Sequence, residues 1–466
     1  MLGMGNMRQW LMNISLVGGW FPAAAFAVIA VLSVTLLVSA AVSKRDGRIL
    51  ATVLPIGVAA VSGMVGYVVA WLLSDVFVVF GVGLGSRVMS WVAAGFAIAG
   101  FAIVHIVLSR GMMRVAAAIL TVFAILAAAI GIDQSYGEYA TIGSLFGEDS
   151  YSQADLTGLA KRKDLITVAQ WRKQAANGTI RNIPANGTVN KIDIPATKSQ
   201  FEARKALVYL PPAALADSNR KPALPVVLML SGQPGSPGRV FQAGGIQTMM
   251  DGYAKTHDGL APIVIAADQL GADSHNTLCV DSKVYGNALT YLTQDVVDWV
   301  KTNLPAAQDA KDWAIAGFSQ GATCSLQIGV NHPDLFGTMI PTDSEIKPTN
   351  GSRQEMIDRF FDGDTTAYEN QVPVNAIRNH APTHQMLIIG AGEKDTTSIR
   401  NVKTIAPVAA KAGMRVAAVE SSGNAHDWHA VQDVLRYGLA VFGHDTGLDG
   451  ANPNLSDYPN LKRITI

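Results

Sequence analysis

Gly317-Phe318-Ser319-Gln320-Gly321 follows the apolar run Trp313-Ala314-Ile315-Ala316 and precedes Ala322-Thr323-Cys324-Ser325-Leu326-Gln327-Ile328, a segment of helical character. Together these stretches predict a strand, a sharp turn and a helix with a serine at the apex, the arrangement called a nucleophile elbow. So tight a turn leaves no room for side chains beside the serine, which accounts for a glycine on each side of it. The pentapeptide alone is a weak signal, since the same spacing recurs in ordinary turns. The strand before it and the helix after it give it weight.

Outward from the elbow, strands and helices alternate from about residue 187. Residues 189–194 alternate as a strand should, and 206–210 end at Pro211-Pro212, a strand terminator. Continuous apolar runs follow at 225–230, 262–267, 313–316, 339–340 and 385–389, separated by helical segments such as 291–304 and 406–412. Continuous runs imply strands buried on both faces. The expected fold class is therefore α/β, a mostly parallel sheet with helices on both faces.

The loop after one buried strand, Ser231-Gly232-Gln233-Pro234-Gly235-Ser236-Pro237-Gly238, is rich in glycine and proline. In an elbow-type site such a loop supplies one oxyanion-hole N–H, and the residue after the nucleophile supplies the other. Gln320 is then the first donor and Gln233 the favoured second, because Pro234 has no N–H to give. A base and an orienting acid are expected in the chain order serine, acid, histidine. Gly390-Ala391-Gly392-Glu393-Lys394-Asp395 leaves the strand 385–389, and Ser421-Ser422-Gly423-Asn424-Ala425-His426-Asp427-Trp428-His429 leaves the strand 416–419. Asp395 is preferred as acid, with Glu393 the alternative. His426, first after the glycine-containing turn, is preferred over His429.

The first part of the chain is different material. Of 466 residues 49% are hydrophobic and only 15% charged, against about 25% charged in a soluble domain. The deficit lies before residue 133, where apolar runs at roughly 19–42, 50–74, 88–108 and 115–132 each approach the ~20 residues that cross a bilayer. The first run is longer than a signal-peptide core and three more follow, so a spanning domain is the expected reading. Lys44, Arg45 and Arg48 lie between the first and second runs and Arg110 and Arg114 between the third and fourth, whereas the other side carries Arg8 and Arg87. Positive loops stay in the cytoplasm, which predicts that everything after residue 132 faces outward. Trp20, Trp71 and Trp91 fit interfacial anchors or packing between helices. His105 is expected to be hydrogen-bonded between helices, and Asp75 solvated at a span end.

Other function classes find little support. A formal net charge of zero argues against nucleic acid. His380 and His384 are spaced i, i+4 across Pro382, which spoils a helical two-histidine metal site, and neither a metal site nor a phosphate-cradling loop is expected. His257 and His332 read as surface or capping residues. The two cysteines, Cys279 and Cys324, are a possible disulfide if the domain lies outside the cell.

Several of these stretches carry a family likeness: Arg204 to Pro212 (RKALVYLPP), Gly286 to Val300 (GNALTYLTQDVVDWV), Ala316 to Gly321 (AGFSQG), His332 to Gly337 (HPDLFG) and Gly423 to Trp428 (GNAHDW). On these the segment from about Gly187 to Gly443 resembles the esterase family of α/β-hydrolases, which includes the esterase D or S-formylglutathione hydrolases, feruloyl esterases and actinobacterial mycolyltransferases. The resemblance implies an α/β-hydrolase fold and puts the family's His-Asp-Trp pattern on His426-Asp427-Trp428. It leaves the acid open, since mycolyltransferases use glutamate and many esterases aspartate. Two features depart from it: Ser231 replaces the usual histidine before the oxyanion-loop glycine, and secreted mycolyltransferases carry a cleavable signal instead of four spans. Multi-spanning members look like actinobacterial envelope proteins, which implies a lipid or glycolipid acyl ester at the membrane surface.

The expected organisation is a four-span transmembrane domain at 1–132, a juxtamembrane connector at 133–186, an esterase domain at 187–445 and a tail at 446–466. The expected activity is that of a serine esterase or acyltransferase needing no cofactor. Rival readings are an envelope protein that only binds a lipid or partner, and an aminoacyl-lipid hydrolase.

Overall fold

The computed structural model describes residues 4–42, 48–77, 79, 83–149, 151–159, 165–180, 182–218 and 220–466. Lys44 and Arg45, which enter the topology reading, and the run Lys161-Arg162-Lys163-Asp164 lie outside the described residues. The chain divides into two compact units, Met1–Glu148 with Ala425–Asp427, and Asp149–Asn424 with Trp428–Ile466.

Among the described residues the first unit contains 4 helices long and apolar enough to cross a membrane: Trp20–Ala41, Ala51–Val76, Gly85–Leu108 and Met112–Tyr136. Their packing follows the rule for apolar surroundings, in which small residues let backbones approach. A Cβ on Gly100 would fall 2.4 Å from Ser62 Oγ, one on Gly95 2.8 Å from Ala128 Cβ, and one on Gly131 2.1 Å from the Trp91 ring. Trp91 also stacks on Phe26 at 5.5 Å, so it packs between helices. Large apolar side chains such as Val31, Val61, Met64, Val107, Val122 and Ile125 point outward. An outward apolar surface on helices of this length suggests association with a membrane. His105 is buried against Phe101, ring centroids 4.6 Å apart, and its Nε2 makes no hydrogen bond among the described residues. That ring contact lies within the helix Gly85–Leu108. Leu16 N–H donates to Ala140 O and Ile142 N–H to Ile14 O, joining the segments before the first and after the last helix.

The second unit is built on strands β1 (Ser152–Gln153), β2 (Thr188–Ile192), β3 (Ala206–Leu210), β4 (Val226–Leu230), β5 (Ile263–Ala266), β6 (Asp281–Ser282), β7 (Gly286–Asn287), β8 (Trp313–Phe318), β9 (Thr338–Thr342), β10 (Met386–Gly392), β11 (Arg415–Ser421) and β12 (Leu461–Arg463). Ten form one sheet in the order β1-β2-β3-β5-β4-β8-β9-β10-β11-β12, and β6 and β7 make a separate pair. From β5 through β11 every pairing is parallel, while β2, β3 and β12 join antiparallel. This is the mostly parallel α/β sheet that the continuous apolar runs imply.

Alternate residues of each central strand enter different cores. Val226, Leu228 and Leu230 of β4 pack in one layer, Val227 and Met229 in the other. Trp313 and Ile315 of β8 join the first, Ala314, Ala316 and Phe318 the second. Both faces of the sheet are thus covered, which is why these strands read as unbroken apolar runs. Within 133–186, β1 pairs with β2 and the helix Val168–Ala176 buries Trp171, whose Nε1 donates to Asp258 O at 3.1 Å. Beyond 445, β12 pairs with β11.

Candidate active site

Ser319 sits between β8 and the helix Gln320–Asn331 with φ 55 and ψ −117. A non-glycine residue in this region is strained and is held only by its surroundings. Two features hold it. Its N–H donates to Thr342 O at the end of β9, 3.0 Å away. The glycines beside it leave room for backbone alone: a Cβ on Gly317 would lie 2.2 Å from Gly321 O, and one on Gly321 2.3 Å from Ser231 O. Gly321 therefore lets the elbow press against the end of β4.

The loop after β4 lies against Ser319, since a Cβ on Gly232 would be 3.6 Å from Ser319 Cβ. Among the described residues the backbone N–H groups of Gln233 and Gln320 donate to no protein acceptor. Arg204 braces this loop from below. Its Nε and Nη2 pair with both oxygens of the fully buried Asp268 at 3.0 and 2.8 Å, and Nη2 also donates to Gly235 O at 2.9 Å. Asp268 accepts the Leu270 and Gly271 N–H groups as well, so this buried charge is fully satisfied. Burial alone would lower the Arg204 guanidinium, but its hydrogen bonds to Asp268 and Asp273 outweigh it and hold it above its ordinary value.

The acid-bearing strand ends differ from one another. Asp395 caps the helix Thr396–Lys411, one carboxylate oxygen accepting the Thr397 and Ser398 N–H groups at 3.1 and 3.0 Å, and it is buried. Glu393 is bound elsewhere, to Gly423 N–H at 2.7 Å and Lys462 Nζ at 2.9 Å. The Lys462 hydrogen bond, with help from Gly423 N–H, holds its carboxyl below the usual carboxylate range. A third carboxylate, Asp343, comes directly after β9, fully buried with φ 55. Its N–H donates to Gly390 O and its Oδ1 accepts Gly392 N–H, both at 2.9 Å, which ties it to β10. The sequence reading missed Asp343. The available signal was an aspartate at the end of a strand next to that of the serine, hidden behind an apolar run of only two residues.

His426 stands in the turn after β11, shaped by Asp427 Oδ2 accepting Ala425 N–H at 2.8 Å. Asp433 steadies the approach to that turn by accepting from Ser421 Oγ at 2.6 Å and Asn424 Nδ2 at 3.2 Å. One donor or acceptor atom from each of Asp343, Asp395 and His426 lies within 4.8 Å of the others. By spacing alone that trio could hold a metal ion, or orient the imidazole as a base. Glu393 and His429 are not in the trio; His429 lies in the first turn of the helix Trp428–Asp445. Trp428 packs against Phe318, the residue before Ser319, with ring centroids 5.0 Å apart. His257 pairs with Asp449 at 3.2 Å and His380 faces Asn331 Oδ1 at 3.0 Å. Cys279 and Cys324 are joined as a disulfide with Cα atoms 5.7 Å apart, linking the segment after β5 to the helix that follows Ser319.

A large parallel sheet with a serine elbow and acidic and imidazole groups at successive strand ends defines a hydrolase of α/β type. Residues 198–438 match the family model described as "Putative esterase". The uncharacterized protein Cgl0967/cg1104 of Corynebacterium glutamicum is 32% identical over 333 residues, covering 70% of this chain and 74% of its own length. The chain belongs to this esterase family of α/β-hydrolases. Among solved structures, an S-formylglutathione hydrolase from Agrobacterium tumefaciens is similar at 16% identity over 57% of this chain and 98% of its own, with a TM-score of 0.46. A ferulic acid esterase from Anaeromyces mucronatus is similar at 19% identity over 55% and 90% respectively, with a TM-score of 0.42.

Proposed function

We propose that this protein is a membrane-anchored serine esterase or acyltransferase that works on acyl esters of lipid or glycolipid type, with its catalytic unit outside the cytoplasm. The observation that carries the reading is the strained Ser319 in its glycine-flanked elbow, together with a histidine and carboxylates at the neighbouring strand ends. Ser319 Oγ attacks the ester carbonyl carbon while His426 takes its proton. Asp395 orients the imidazole, and the Gln320 and Gln233 amides stabilise the oxyanion. Collapse of the tetrahedral intermediate breaks the ester C–O bond. The leaving alkoxide takes the proton from His426 and an acyl-enzyme remains. Water then releases the acid, or a sugar or lipid hydroxyl takes the acyl group. The apolar helices of the first unit support an ester held at a bilayer, and the surplus of positive charge in the loops between alternate runs supports the outward side.

The test is labelling of intact and lysed cells with a membrane-impermeant fluorophosphonate, for wild type and for Ser319→Ala and His426→Ala. Labelling of intact cells that both substitutions abolish is the expected result. A folded wild type that stays unlabelled even after lysis overturns the catalytic reading, and labelling only after lysis overturns the outward side.

A further inference from the structure

Gln269 lies just after β5, with its carboxamide fully buried between the two segments read above as the oxyanion hole. Its Nε2 is 2.7 Å from Ser231 O, 3.3 Å from Ser231 Oγ and 3.2 Å from Gln320 Oε1. A carbonyl oxygen can only accept, so the shortest of these contacts decides which end of the Gln269 amide faces Ser231. The same polarity runs on through Gln320. Its Oε1 faces Gln269, which leaves its Nε2 to donate to Asn276 Oδ1 at 3.3 Å. The backbone carbonyl of Gln269 accepts from the Thr277 hydroxyl at 2.7 Å, which steadies the residue from the other end. Gln269 Oε1, by contrast, has no hydrogen-bond partner among the described residues. The Gln269 side chain therefore meets the described residues through its nitrogen.

What the nitrogen does follows from peptide geometry. The Ser231 carbonyl shares a peptide unit with the Gly232 N–H, and this bond is trans. In a planar trans peptide the two groups point in opposite directions. Holding the carbonyl toward Gln269 therefore turns the Gly232 N–H away from it and fixes where the backbone of Gln233 begins. Gly232 itself is packed on Ser319, so an error in this peptide is an error at the nucleophile. The second hydrogen of Nε2 reaches Gln320, whose own backbone N–H is the other donor.

We propose that Gln269 is the positioning residue of the oxyanion hole: one buried carboxamide couples the loop after β4 to the residue after the nucleophile and sets both amides relative to Ser319. This rests on reading Ser319 as the nucleophile. Nothing in the motifs of the sequence marks Gln269, because its role depends on contacts 38 and 51 residues away.

The experiment uses the full chain in detergent micelles, with p-nitrophenyl butyrate as substrate and an alkylboronic acid as a mimic of the tetrahedral intermediate. Gln269→Leu and Gln269→Glu are compared with wild type, each checked for folding by thermal melting, with Ser319→Ala as the blank. Both substitutions are expected to lower kcat about 10- to 100-fold with KM held within about twofold, and to weaken the boronic acid by the same factor as kcat/KM. A role confined to packing would lower the melting temperature and leave kcat and boronate affinity of the folded enzyme unchanged, which would overturn the proposal. If Gln269→Leu fails to fold, Gln269→Glu decides: it keeps the shape, and once ionised its carboxylate can only accept, so turnover equal to wild type at alkaline pH sinks the idea. Failure of the underlying reading looks different, because wild type would then neither label with fluorophosphonate nor turn over the ester.

Discussion

The turn after β8 and the turn after β10 both end parallel strands of the same sheet, yet they are held in opposite ways. The first is shaped by the absence of side chains. Gly317 and Gly321 bring backbone against backbone, and Ser319 is forced into a positive φ that no partner of its side chain is needed to maintain. The second is shaped by charge. Asp395 is fixed by the helix it caps and Glu393 by a lysine on the outermost strand, while Asp343 reaches across from the end of β9. A position set by sterics tolerates no added atoms but is indifferent to pH and salt, whereas a position set by hydrogen bonds tolerates conservative shapes but not a change of charge. Ser319 and the proposed acid should therefore fail differently when perturbed.

The largest expected effect is Ser319→Ala, which should abolish fluorophosphonate labelling and ester turnover while leaving the melting temperature near that of wild type. Asp395→Asn comes next. It keeps the capping acceptor but removes the charge, and about a 10,000-fold loss in kcat is expected by analogy with other orienting carboxylates. Retention of most activity in that variant together with its loss in Glu393→Gln would reverse the assignment. Gly321→Ala sharpens the other side of the comparison. A Cβ 2.3 Å from Ser231 O should cost about 1–3 kcal/mol in a denaturant melt and deform the elbow, so kcat should fall at every pH alike. Asp343→Asn is expected to cost about tenfold in kcat, less than Asp395→Asn because Asp343 adds its charge to the trio without being the proposed orienting acid. A greater loss than in Asp395→Asn would make Asp343 the orienting acid.

Glu393→Gln should show the smallest effect, on stability alone. Lys462 and then Gly423 N–H lower the Glu393 carboxyl in the folded state. The stabilisation they give is therefore complete above the ordinary carboxylate range and is lost as pH falls through the lowered folded value. Melting curves of wild type and Glu393→Gln should differ at neutral pH and converge in acid, with kcat unchanged. A difference that persists in acid would show that something other than this ion pair holds the turn.

The same contrast explains what could be read from the chain directly. The elbow was legible because its motif is local: five residues and the apolar strand before them carry it, while the approach of Gly321 to Ser231 O lies outside them. The central strands were legible because burial on both faces writes itself as an unbroken apolar run. The choice between Glu393 and Asp395 was not open to that kind of reading, since both stand in one loop and their placements differ through Lys462, 69 residues from Glu393, and through the helix that Asp395 caps. Asp343 and Gln269 escaped for the same reason. β1 and β12, of 2 and 3 residues, are too short to show any period, and only their partners reveal them as strands.

The pairing of β12 has a practical side. Leu461, Lys462 and Arg463 lie along β11, opposite Ser421, Glu420 and Val419, and so cover that strand's outer row of amide and carbonyl groups. A truncation before Leu461, or a bulky tag that pulls those residues away, would uncover a ready template for another chain. It would also free the turn that Lys462 clasps through Glu393. Self-association of shortened or C-terminally fused protein, in place of simple loss of activity, is the behaviour that this strap would otherwise prevent.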